Sequence, residues 1–266
     1  MYQLLSLLPS IPWPSVTIPA AVLLSWLSIA RAYRWRRYNY IHRVYGPKYK
    51  TGTLTLEDAQ EIVHIITQYE MPVIMEYALT FALFKPYAIT FILINTWLQC
   101  PISGFMQGNK PLQDPRANLA IARTNFLHSK YRIKNDDYIF TLSLWIFEPE
   151  RWAANYGWRS LSPLEVHAFF ILWLEIARRM NIKDVPETEE ALKEWVEASL
   201  DYESKYMVPD PMNHSVALLT TKELIWQVPD VLGLRNFARK LSIAMLEDRF
   251  RIAMMFVPAP SALLEP

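Results

Sequence analysis

Apolar positions recur at three- and four-residue spacing along most of this chain, and no stretch alternates with period two, so the pattern predicts an all-α protein. Thr55, followed by Glu57 and Asp58, opens a helix expected over Thr55–Tyr69, with Ile62, Ile65 and Ile66 on one face and His64 as a surface or packing residue. A second helix is expected over Glu76–Leu83, broken at Pro86. Ala88–Leu98 is apolar enough to be either a buried helix or a monotopic membrane contact. Pro101–Lys110 reads as a loop, whose Gly104 and Gly108 open no helix after a strand and so make no phosphate motif. Asp114 and Pro115 suit the start of a helix over Asp114–Arg132. Asn135 caps a helix over Asp136–Phe147, apolar nearly all round and stopped by Glu148-Pro149-Glu150. Ser162-Pro163-Leu164-Glu165 is a capping box that opens a helix to about Met180. Pro186–Tyr202 is a helix whose glutamates form a solvated face. After a proline-broken loop at Met207–Met212, helices are expected around His214–Trp226 and over Asp230–Phe256, before a proline-rich end.

The N-terminal part is different. Ile11–Ala30 carries no charge and has the length of a bilayer span, although Pro12, Pro14 and Pro19 weaken its first half as a helix. Arg31, Arg34, Arg36, Arg37 and Arg43 follow it, and basic flanks stay on the cytosolic side. Trp13, Trp26, Tyr33 and Trp35 suit interfacial anchors. A secretory leader would carry its positive charge ahead of the apolar run, not behind it. These features predict a tail and single-pass anchor over 1–33, a basic juxtamembrane linker over 34–54 and one helical domain over 55–266.

Composition narrows the chemistry. Lys and Arg number 27 against 26 Asp and Glu, a net charge of +1, too balanced for a nucleic-acid partner. Nineteen prolines against six glycines suit helices with hard stops rather than hairpins. The single cysteine, Cys100, excludes an internal disulfide and reads as a small buried residue. The chain lacks GxSxG, HExxH, CxxC, GxGxxG and GKS/T, so the common hydrolase, zinc and nucleotide signals are absent. Of five histidines, His42 lies in the basic linker and His167 inside an apolar helix, where a satisfied core role is expected.

His128 has more informative neighbours. On a helix, Ile121, Thr124, Asn125, His128 and Arg132 share one stripe, and Leu119, Ala122, Arg123, Phe126 and Leu127 the other. Both stripes read as buried, which would carry Arg123 inward and require a partner for its charge. A haem propionate, an oxidised substrate or a carboxylate such as Asp136 or Asp137 would each serve, and a purely structural buried network is the simplest reading. A haem iron would need one imidazole in an apolar pocket, which this helix can supply.

Three blocks carry a resemblance: GNKPLQDPRANLAIARTNFLHSKYRIKNDDY (108–138), EPERWAANYGWRSLSPLE (148–165) and YMVPDPMNH (206–214). With them, the chain from about Thr55 resembles the fungal endoplasmic-reticulum-bound oxygenases of the MpaB type, of mycophenolic acid biosynthesis, which are distantly similar to the bacterial rubber oxygenases (latex-clearing protein). The resemblance implies a globin-like helical bundle, haem b as cofactor, and O₂ with a lipophilic terpenoid or meroterpenoid as substrates. In the rubber oxygenases the ligand histidine sits in an R-x-L-L-H-x-R-x-R pattern. The matching stretch here runs from Thr124 to Arg132, so His128 inherits the iron and Arg132 the terminal arginine beside a propionate. Thr96 matches a distal threonine by spacing, with Ile92 where the family has an arginine. Arg123, Asn125 and Asp137 are the expected substrate- or oxygen-positioning residues, with Tyr138 behind them. The resemblance also implies the endoplasmic reticulum membrane, and other biosynthetic enzymes there as partners. Two other readings keep the fold. One is a cofactor-free isomerase or cyclase using Arg123, Asp136 or Asp137 as acid and base. The other is a shortened, non-catalytic, membrane-anchored member, because the chain ends soon after Met254-Met255-Phe256, where members of the family commonly continue.

Overall fold

A computed structural model describes residues 13–82, 87–102, 106–107, 110–111, 114–199, 208–246 and 248–256. The chain falls into two compact units, Met1–Thr53 and Leu54–Pro266. The described residues are almost entirely helical; the exception is an antiparallel pair of two-residue strands, Met106–Gln107 and Lys110–Pro111. The all-α expectation is therefore met.

The first unit contains α1 (Trp13–Tyr33) and α2 (Arg36–Lys50). Among the described residues no helix is long and apolar enough to cross a membrane, which corrects the expected single-pass anchor. The physical reason lies in α1 itself, where Ser15, Thr17, Ser25 and Ser28 dilute the apolar run before Arg31 ends it. Its side chains are nonetheless bare: Ile18, Val22, Leu23, Leu24, Trp26, Leu27 and Ile29 are all exposed. Residues of the expected basic linker from Arg36 onward form a helix that passes through Pro47.

In the second unit, Thr55 caps α3 (Leu56–Ile65): its hydroxyl accepts from the Asp58 amide, and the Asp58 carboxylate accepts from the Thr55 amide. The helix then loosens into a single π-helical turn, Ile66–Glu70. α4 begins at Pro72, earlier than expected, and runs to Ala82; Pro86 lies outside the described residues. α5 (Tyr87–Gln99) follows the expected apolar run, and Gln60 finishes it from α3. The Gln60 side-chain nitrogen donates to the carbonyls of Trp97 (3.0 Å) and Cys100 (2.7 Å), and its oxygen accepts from the Ile102 amide.

α6 (Arg116–His128) starts two residues late, yet the Asp114 carboxylate still accepts the Arg116 amide at 3.0 Å. α7 (Asn135–Tyr156) does not stop at Pro149, which corrects the expected end at Phe147. A mid-helix proline costs roughly 3 kcal/mol through a lost hydrogen bond and a ring clash. Here packing outweighs it: Pro149, Trp152 and Ala153 are all buried, α7 lies along α4 and α8, and the Glu148 carboxylate accepts from Trp152 Nε1 at 2.9 Å. At its end Gly157 comes so close to Met71, just ahead of α4, that a Cβ would lie 2.9 Å from Met71 Sδ and 2.5 Å from the Ala153 carbonyl of its own helix.

α8 (Pro163–Arg179) opens with the expected capping box from Ser162 and Glu165. It is the most buried helix of the unit and packs on α3 and α7. α9 (Glu189–Ala198) and α10 (Pro211–Leu224) follow. The single long helix expected over Asp230–Phe256 is instead α11 (Leu234–Ala244) and α12 (Asp248–Ala253). Leu246, after α11, joins Ala217, Met254 and Phe256 in a small core.

The π-helical turn, the loop after α7 and the start of α8 share a buried ion cluster. Arg159 Nη1 and Nη2 donate to the two oxygens of Glu165 at 2.7 Å each, and Nη2 also reaches Glu70 at 3.3 Å. All three side chains are more than nine-tenths buried. Burial alone would lower the proton affinity of Arg159, but the hydrogen bonds and charges of Glu165 and Glu70 raise it above the ordinary arginine value.

Candidate functional site

α5, α6, α7, α8 and α10 enclose a cavity of about 530 Å³, within the range of small-molecule sites. α5 contributes Thr90, Leu93, Ile94 and Trp97, one stripe at three- and four-residue spacing. α6 contributes Thr124, Leu127 and His128, and α7 contributes Asp137, Tyr138, Thr141, Leu142 and Trp145. Trp173 and Ile176 come from α8, and Asn213 and Val216 from α10. The wall is mainly apolar and aromatic. Trp145 and Trp173 stack with centroids 5.1 Å apart, and Trp97 meets Trp173 edge-on at 6.2 Å. The indole nitrogens of Trp97 and Trp173 are buried with no hydrogen-bond partner.

His128 is the last residue of α6, half-buried, with its ring 5.5 Å from that of Tyr138. Its Nδ1 is closed off from solvent and has no partner. Nε2 is the ring nitrogen not closed off in this way, and His128 is among the residues lining the cavity. Burial holds the His128 pKa below the ordinary histidine value and raises that of the Tyr138 hydroxyl. Near neutral pH the site therefore presents a neutral imidazole with a free lone pair and a protonated phenol.

The depressed pKa has a consequence for stability. The folded protein keeps His128 neutral to lower pH than the unfolded chain does, so its contribution is present above about pH 6.5 and is lost as the pH falls from there through the lower folded-state value. The thermal midpoint of the wild-type chain is expected to fall more steeply than that of His128→Gln between about pH 7.5 and about pH 5.5. Parallel profiles in a melting series would show that His128 titrates alike in both states.

The other expected site residues are scattered. Asp137 lines the cavity, and its Oδ2 also accepts the Lys134 amide at 3.3 Å at the start of α7. Asn125 faces away and donates to the Arg179 carbonyl at 2.9 Å, a structural tie between α6 and α8. Arg123 is exposed, not carried inward, and its guanidinium lies 5.4 Å from the Phe126 ring, which Lys130 covers as well. The second stripe of α6 is thus a surface, with Leu119 and Phe126 exposed. Arg132 is exposed and outside the cavity wall. Thr96 lies on the other side of α5, where Ile92, Asn95, Thr96 and Gln99 border a separate cavity, and its hydroxyl donates to the Ile92 carbonyl at 2.7 Å. Asp136 is exposed. The tryptophans and Thr90 were not expected at the site; three tryptophans on apolar helix stripes were the available signal. His167, expected to be satisfied in the core, is half-buried and bonded through Nδ1 to Glu189 Oε1 at 2.5 Å.

Residues 117–264, which span every wall of this cavity except α5, match a family model described as ER-bound oxygenase mpaB/B'/Rubber oxygenase, catalytic domain. The chain belongs to this family. The family is one of oxygenases, a class of oxidoreductase. Within it, the chain is similar to an ER-bound oxygenase mpaB' of Penicillium brevicompactum, 30% identical over 270 residues that make up 90% of this chain. The chain spans 63% of that relative's length. It is also 30% identical to an ER-bound oxygenase mpaB of Penicillium roqueforti (strain FM164), over 89% of either chain. A third relative, the ER-bound oxygenase mpaB of Penicillium brevicompactum, is 30% identical over 91% of this chain and 69% of its own length. No solved structure matches the chain.

A neutral imidazole at an apolar cavity has the chemistry of a haem-iron ligand, so His128 would hold the haem that the resemblance implies. No Lys or Arg is among the residues lining the cavity, so the lining itself offers no cation to a propionate.

Proposed function

We propose that this chain is an oxygenase of fungal secondary metabolism that oxidises or oxidatively cleaves a lipophilic terpenoid or meroterpenoid, with its prenyl chain in the cavity beside His128. The observation that carries the reading is a neutral His128 imidazole among the lining residues of an apolar, aromatic-walled cavity, in a chain of an oxygenase family. His128 would hold haem b, and Arg132, four residues on, is the cation proposed for a propionate. When bound, haem b supplies an iron that takes up O₂. Leu93, Ile94, Trp145, Trp173 and Ile176 bury the prenyl chain and keep water from it. Tyr138 stays protonated and donates a hydrogen bond to an oxygen of the substrate, and Asp137 accepts one. The globin-like arrangement of the helices is part of the same proposal. So is the place of work: relatives are named ER-bound, and the bare apolar side chains of α1 beside Arg31, Arg34, Arg36 and Arg37 suit contact with the cytosolic face of that membrane, near other biosynthetic enzymes.

The test is an absorption spectrum of the full chain in detergent after addition of haemin, for wild type and His128→Ala. A Soret band in the wild type alone is expected. A band in both, or in neither, removes His128 as the ligand. One observation favours a second reading, a cofactor-free isomerase or cyclase: His128, Asp137 and Tyr138 line one cavity that has no Lys or Arg among its lining residues. Product from a farnesylated substrate without bound haem would select it, and inertness in both assays would select the non-catalytic member.

A further inference from the structure

α6 turns a basic and aromatic face to solvent. Leu119, Ala122, Arg123 and Phe126 are exposed along one side of it, and Lys130 and Tyr131 continue the exposed surface past its end. Phe126 is 52% exposed and Tyr131 72%, so two large rings meet water within six residues of each other. Phe126 has a cation from the turn before it and another from the turn after it. The Arg123 guanidinium lies 5.4 Å from the ring centroid and the Lys130 ammonium 4.5 Å. The opposite side of α6 is occupied: Ala117, Ala120, Ile121 and Thr124 are buried, and the helix packs on α5.

The charge of this face has one sign. Between Asp114 and Asp136 the sequence holds Arg116, Arg123, Lys130, Arg132 and Lys134 and no carboxylate. Arg116 is paired with Asp114 at one end of the run, and Asp136 and Asp137 open α7 at the other. Arg123 and Lys130 have no carboxylate partner among the described residues; both side chains lie against Phe126 instead.

We propose that this face docks the second unit onto an anionic phospholipid surface, with Phe126 and Tyr131 at the acyl boundary and Arg123 and Lys130 among the headgroups. Charge complementarity selects that occupant. Two uncompensated cations held beside an exposed aromatic ring call for anions and an apolar phase side by side, and an acidic bilayer interface offers both. A stable protein partner buries about 800 Å² on each side around a core depleted of charge, whereas here the cations stand at the centre of the face. The contact is separate from anything α1 does, leaves Arg132 to its proposed role, and does not depend on the proposed reaction. Its bearing on that reaction is positional. Leu127 and His128 directly follow Phe126 and line the cavity, so a docked α6 holds that wall near the phase in which a lipophilic substrate dissolves.

The test places an environment-sensitive fluorophore on Ala122→Cys in the full chain; Cys100 is buried, and the unsubstituted chain serves as the labelling blank. The probe reports on residue 122 alone, so attachment through α1 by itself gives no signal. With phosphatidylcholine vesicles containing phosphatidylserine, a blue-shifted emission that is quenched by acyl-chain nitroxides is expected. Each basic residue near such a surface is worth roughly a fivefold change in partitioning, so Arg123→Gln with Lys130→Gln is expected to weaken the signal by about twentyfold or more. Phe126→Ser is expected to remove most of it while leaving the helical circular dichroism unchanged. An unshifted probe in every vesicle overturns the proposal, and so does an equal shift without phosphatidylserine. A shift with polyglutamate and none with vesicles would overturn it in favour of an acidic protein. A shift in detergent accompanied by a dimeric mass would overturn it in favour of a second copy.

Discussion

Arg159→Met is expected to lower the unfolding free energy by about 3–5 kcal/mol, the range for removing one partner of a buried ion pair. The loss comes less from the missing attraction than from what stays behind. Glu70 and Glu165 would remain buried without the guanidinium that both of them share. Methionine fills much of the space, so packing alone accounts for little of the effect. Urea unfolding in matched detergent measures it. The triple variant Glu70→Gln, Arg159→Met, Glu165→Gln removes the charges together and is expected to recover most of the loss, since replacing a whole buried cluster is often neutral. A loss below about 1 kcal/mol for Arg159→Met would mean that the cluster behaves as a solvated pair.

Trp173→Ala is the second large effect, at about 3–5 kcal/mol for an aromatic removed from a core. Trp173 is fully buried, stacks on Trp145, meets Trp97 edge-on and walls the cavity. Its removal joins a new void to an existing one, and the surrounding helices cannot collapse onto both. An enlarged apolar void takes up apolar ligands, so added indole is expected to raise the thermal midpoint of the variant and leave that of the wild type nearly unchanged. Trp173→Phe keeps the stacking, and because the indole nitrogen has no partner it loses no hydrogen bond, so it should cost less than about 1.5 kcal/mol. A Phe variant as unstable as the Ala variant would show that shape, not aromatic burial, sets the cost.

Much of this was legible in the residues, and the reasons differ from place to place. Thr55 and Ser162 could be read as helix starts because capping is local chemistry, decided within four residues. The helical stripe through Thr124 and His128 could be read as facing inward for the same reason. Arg123 could not be placed, because a mixed stripe with leucine, phenylalanine and arginine has the same periodicity whether it faces a core or water. Its exposure is set by which neighbours α6 happens to have. Pro149 misled for the opposite reason: the local penalty is real, but burial on α4 and α8 exceeds it, and nothing within the segment announces that. The partners of Arg159 lie 89 and 6 residues away, so only the fold could bring Glu70 to it. Thr96 had the right spacing in the chain and the wrong side of the helix.

The π-helical turn at Ile66–Glu70 carries one further implication, for comparison with relatives. Such a turn arises when a helix absorbs one additional residue. Removing a residue anywhere between Ile65 and Pro72 would close the turn into regular α-helix and swing the following side chain by about 100°. Glu70 would then be carried away from Arg159. The number of residues in this short segment is therefore tied to the ion cluster as firmly as their identity. Within the family, a one-residue gap here should travel with the loss of the arginine or of a carboxylate.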